Sequence, residues 1–96
     1  MEERIDVLSR RARRLRLRGE YRKASNVYGE LTSIEPQRGA WWVLLGVMLQ
    51  RANRAEQSVK ALRQAMFLFR RTNEQRRCES VRAIIARSTG CDAIAA

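Results

Sequence analysis

Shifted by 34 residues, the sequence falls into register with itself. Leu8 meets Trp42, Ala12 meets Gly46 and Leu15 meets Leu49. Gly19 meets Asn53, Tyr21 meets Ala55, Ala24 meets Ser58, Tyr28 meets Leu62 and Leu31 meets Ala65. Most pairs keep their size class. A period of this length marks a supersecondary unit that cannot bury its apolar face alone and must stack on a neighbour. The small pairs, Ala12/Gly46 and Ala24/Ser58, fall where two antiparallel helices would cross closely. Gly46 costs roughly 1 kcal/mol inside a helix, so such a crossing is the reason for it to stand there.

The local pattern is helical throughout. Ile5, Leu8, Ala12 and Leu15 form a stripe at helical spacing over residues 3–18, with Glu2, Glu3 and Asp6 near the positive end of the helix dipole. Tyr21, Ala24, Val27, Tyr28 and Leu31 do the same over 21–34, and Pro36 stops that helix. The most apolar run, Gly39 to Leu49, predicts a third helix to about Arg51, buried on most sides, with Trp42, Leu45, Gly46 and Leu49 as its packed face. It is too short to cross a bilayer, which takes about 20 apolar residues. Asn53 suits a left-handed helix end. The fourth helix is expected over 55–70, with Ala55, Ser58, Val59, Leu62, Ala65, Met66 and Phe69 inward. A fifth, over about 73–88, is expected to be capped by Thr72 or Asn73, to bury Cys78, Val81, Ile84 and Ile85, and to end at Ser88-Thr89-Gly90. Residues 91–96 read as a mobile tail. The fold class that follows is all-α, about five antiparallel helices in one domain.

The run Trp42-x-x-Leu45-Gly46-x-x-Leu49, with Ala24-x-x-x-Tyr28, Ser58-x-x-x-Leu62 and Pro36, resembles the tetratricopeptide repeat family. The resemblance covers about residues 5–71 and implies two helix-turn-helix repeats, about 5–38 and 39–72, with the fifth helix as a cap. Arg11 stands at an apolar place of the first repeat, Arg70 replaces the second closing proline, and the fifth helix is out of strict register by about two residues.

Charge is the second constraint. Twenty Lys and Arg oppose ten acids, for a net charge of +10. Residues 1–23 hold nine cations and four acids, residues 24–69 five and three, and residues 70–96 six and three. The excess therefore sits toward the two ends. It favours acidic partners, and the same arginines also suit plain solvated helix faces. Cys78 and Cys91 lack metal-ligand spacing and there is no histidine, which reads as a reduced, cytoplasmic setting with free thiols.

No catalytic constellation is visible. Without histidine there is no His-based dyad or triad, and neither a phosphate-binding glycine loop, a metal site nor a cofactor site is expected. Cys78 lies on an apolar stripe and reads as core. In the family resembled, the first helix of each repeat lines a concave groove for a peptide or partner helix. Carried onto this chain, that face comprises Ser9, Arg13 and Arg16, then Ala40, Val43, Val47, Gln50 and Arg51, then Arg77, Val81 and Ile84. It predicts an apolar floor with a basic rim, suited to an amphipathic or acidic protein segment. For Val43 and Val47, packing against a neighbouring helix remains an equal reading. Trp41 is left over: it either packs on the preceding repeat or is exposed and marks an interface. Exposed Trp41, Phe67 or Ile85 would fit a homo-oligomer or hetero-complex.

The expected function is a protein-interaction adaptor or chaperone. The resemblance implies bacterial secretion, pilus or motility machines as its setting. An electrostatic nucleic-acid binder using the Arg-rich first helix ranks second, because its arginines are not interleaved with aromatics.

Overall fold

A computed structural model describes residues 2–95, with side chains through Arg87. Five helices account for it: α1 (Glu2–Leu17), α2 (Tyr21–Ile34), α3 (Gly39–Arg51), α4 (Ala55–Arg71) and α5 (Gln75–Ala95). The described residues form an all-α fold, and the first four helices match their expected bounds to within a residue.

Three of the four turns are built alike. At the first, Gly19 has φ +77°, its N–H donates to Arg16 O, and the Glu20 N–H donates to Leu15 O at 2.9 Å. Asn53 (φ +63°) and Arg54 repeat this on Gln50 and Leu49, and Asn73 (φ +60°) and Glu74 on Arg70 and Phe69. This crossed pair of bonds is the Schellman motif, which satisfies carbonyls that a helix end leaves open. Each closing residue also opens the next helix: Glu20, Arg54 and Glu74 accept from the N–H groups of Ala24, Ser58 and Cys78. No residue is spare between these helices.

The start of α5 corrects the expected cap. Asn73 is already committed to the left-handed end of α4, so it cannot take the extended conformation of an N-cap. Thr72 instead donates its hydroxyl to Glu74 Oε2 at 2.6 Å. The far end of α5 differs too, because the helix runs through Ser88-Thr89-Gly90 to Ala95. Ser, Thr and Gly weaken a helix without breaking it, and no proline follows. The expected tail at 91–96 and Cys91 lie outside the residues whose side chains are described.

The remaining turn, between α2 and α3, is pinned by both tryptophans. Trp41 Nε1 donates to Glu35 Oε1 at 2.7 Å, and Trp42 Nε1 donates to Pro36 O at 3.0 Å. Each indole reaches back six residues.

The core has two parts, with α3 between them. Leu8, Ala12, Ala24, Val27, Tyr28, Leu31, Trp41 and Met48 form the first. Leu62, Ala65, Met66, Phe69, Cys78 and Val81 form the second, with Trp42 and Val43 packed against it. One wall of α3 thus serves α2 and the other serves α4 and α5, which is why nearly every residue of that helix is apolar. Trp41 is buried against Tyr28, their ring centroids 6.3 Å apart. Met48, Ala61 and Leu68 are also buried, although no expected stripe included them, and Ala55 is exposed rather than inward.

Gly46 marks the tightest crossing. A Cβ there would lie 2.6 Å from Leu62 Cγ and 3.3 Å from Ser58 O. Ser58 Oγ donates to Gly46 O at 2.6 Å, which satisfies a hydroxyl buried in the same contact. Gly39 is just as close to Phe69, with Cε1 at 2.5 Å from where a Cβ would stand. Each helix packs chiefly on its sequence neighbours. The resulting slab measures 45 × 32 × 17 Å, so its thinnest dimension admits fewer than two side-chain-clad helices, each about 10–12 Å across.

Candidate partner-binding groove

Helices α3 and α5 stand apart enough to leave a groove between them. One part of it is a cavity of about 280 Å³ lined by Ala40, Val43 and Leu44 of α3, Phe69 of α4, and Arg77, Ser80, Val81 and Ile84 of α5. Apart from Arg77 and Ser80, these side chains are apolar. A second cavity of about 440 Å³, lined by Val47, Gln50, Arg51, Ile84 and Arg87, adjoins it at Ile84. The spacing explains the alignment: residues 40, 43, 44 and 47 fall on one face of α3, and 77, 80, 81 and 84 on one face of α5. Two apolar helix faces with no third helix laid between them leave a trough.

Cations flank this floor. The Arg77 guanidinium lies 5.7 Å from the Phe69 ring centroid, with Nε 3.4 Å from Glu74 Oε1. Arg51 leans toward the start of α2, its Nη1 donating to Tyr21 Oη at 3.3 Å. Such exposed contacts hold a side chain loosely and leave its remaining donors accessible.

Of the expected binding residues, the structure brings Val43, Arg77 and Val81 into one cavity, and Val47, Gln50 and Arg51 into its neighbour. Val81 is at the same time core and nearly inaccessible. Leu44, Phe69, Ser80 and Arg87 were missed. By helical spacing, position 44 follows from Ala40, 80 from Arg77 and 87 from Ile84.

Arg13, Arg16 and Trp41 line neither cavity. Arg13 lies instead on the outward face of α1, in a depression shared with Val7 and Leu17. Arg16 is half-buried, and with Arg13 it acts on Tyr28. Burial pushes the Tyr28 hydroxyl pKa up, and these two guanidiniums partly offset that. Trp41 faces the first core, not a partner, since adjacent positions on a helix differ by about 100° and Trp42 takes the other side. Phe67 is exposed, with Arg71 5.8 Å from its ring centroid, whereas Ile85 is half-buried.

A carboxylate in the α2–α3 turn is perturbed. The Trp41 indole N–H holds the Glu35 carboxyl below its ordinary value of 4.5, and Arg38 adds to this with Nη1 at 3.3 Å. Arg38 also covers the Trp41 ring at 4.5 Å. The three groups lock a turn and form no trough, so their role is structural.

Among the described residues, no three of Cys, Asp and Glu come together in a way that would hold a metal ion, and no helix is long and apolar enough to cross a membrane. No family model, curated protein or solved structure matches the chain. The groove must therefore be read from its own chemistry.

Proposed function

We propose that this chain is a small helical-repeat adaptor or chaperone of the tetratricopeptide kind, working in the cytoplasm. Its groove between α3 and α5 takes an amphipathic segment of a partner protein. The observation that carries this reading is the trough with Val43, Val81 and Ile84 as floor and Arg77, Arg51 and Arg87 around it. Apolar side chains of the ligand at helical or extended spacing enter the floor, and acidic flanks meet the arginines. Burial of a single leucine-sized anchor is worth about 1.5–3 kcal/mol, so two or three anchors supply about 3–9 kcal/mol, from which the ordering costs of binding are subtracted. A secretion, pilus or motility machine of bacteria is the proposed setting.

The test is affinity capture of partners with wild-type protein and with Val43→Glu and Val47→Glu. A carboxylate in the floor loses about 2–3 kcal/mol of binding, on the order of a hundredfold, while the helical circular dichroism stays. Capture that survives both substitutions rejects the groove.

A further inference from the structure

Helix α1 ends the stack and packs chiefly on α2. Its other face carries Val7 and Leu17, 57% and 73% exposed, and with Arg10, Arg13 and Arg14 they line a shallow depression of about 550 Å³. From Val7 to Gly19 there is no acid, while Arg10, Arg11, Arg13, Arg14, Arg16 and Arg18 supply six positive charges. None of these six belongs to an ion pair among the described residues, in contrast to Arg4 with Glu30, Arg38 with Glu35 and Arg77 with Glu74. Like charges three and four residues apart on a helix repel, so the array works against α1 unless something acidic covers it.

We infer that this face of α1 is a second docking surface, separate from the groove, and that its occupant is an acidic amphipathic helix of another protein. Val7 and Leu17 are ten residues apart, about 15 Å or nearly three turns along the axis. A partner helix with two apolar side chains at that spacing and carboxylates between them meets both anchors. It also places its acids on Arg10 and Arg14, where forked guanidiniums bind carboxylates best. A second copy does not fit, because its own six arginines would face these. A bilayer does not fit, because a helix lying in one needs a continuous apolar face, and here arginines interrupt it. A duplex would use the arginines alone and leave Val7 and Leu17 uncovered, and α1 offers no aromatic ring on which a single strand would stack. Since the surface shares no residue with the trough, the protein would hold two segments at once.

The test is fluorescence anisotropy on the full chain at about 150 mM salt with three probes. One is a synthetic acidic helix with two leucines nearly three turns apart on its glutamate face; the second is its scrambled form; the third is a short DNA duplex. The first is expected to bind at least about tenfold more tightly than the second, and Leu17→Ser to weaken it about tenfold, the size of one lost buried leucine. Leu17 is exposed, so the fold is untouched, and Arg10→Glu with Arg14→Glu abolishes binding. Val43→Glu leaves this binding unchanged. No binding of the first probe, equal binding of its scrambled form, preference for the duplex, or indifference to Leu17→Ser overturns the proposal. If only Val43→Glu removes binding, the peptide sits in the trough: the α1 surface then fails while the groove stands.

Discussion

A methyl group at position 46 would stand 2.6 Å from Leu62 Cγ, and Leu62 is itself fully buried. It has nowhere to go, so Gly46→Ala is expected to destabilise by up to about 2 kcal/mol: overpacking costs about 1–3, and the helix-propensity gain returns only about 1. Gly29 is the control. Nothing lies within 4 Å of a Cβ there, so Gly29→Ala is expected to stabilise by about 0.5–1 kcal/mol. Urea midpoints of the two variants should move in opposite directions. Glu35 gives a pH-dependent test. Its folded pKa lies below the ordinary 4.5, so its charge contributes stability that is fully present above that value and is lost as pH falls through the lower folded one. Relative to Glu35→Gln, the wild-type advantage should therefore vanish in acid; an advantage constant across that range contradicts it. Position 46 was legible because a glycine inside an apolar helix needs a reason. Trp41 was not, because a single apolar stripe presumes a single packed face, and α3 has two.

At the scale of elements, the 3.6-residue pattern made all five helices visible, and Gly19 and Asn53 announced their turns. The turn at Asn73 was misread because one asparagine can either cap a helix start or close a helix end, and the sequence alone weighs both equally. Left-handed φ costs an ordinary residue about 1–2 kcal/mol, so Asn73→Ala should lower stability by about 1 kcal/mol and Asn73→Gly should not, as read by thermal melts. The site was half legible. Shifting Val47 and Gln50 back by the repeat gives Arg13 and Arg16, yet equivalence of position does not place side chains in one trough. Among the described helices α1 packs chiefly on α2 alone, and Arg13 on it is exposed.

For the whole molecule, the balance of charge matters more than any pair. The four ion pairs among the described residues, all at the surface, are each worth about 0–1 kcal/mol, while a net charge of +10 repels across the slab. Salt screens both, and the repulsion is the larger. The melting temperature is therefore expected to rise between about 20 and 200 mM sodium chloride; a fall would mean that the surface pairs dominate.

Because each helix leans mainly on the one before and the one after, almost every contact closes a short loop of chain. Such a topology folds fast, on the microsecond-to-millisecond scale, and it opens as it closes, from the ends inward. Amide exchange should be quickest in α1 and α5, each with one principal neighbour, and slowest in α3. A segment held by α1 and another held against α5 would each slow exchange at their own end. In the doubly loaded protein, neither α1 nor α5 would then be left to fray.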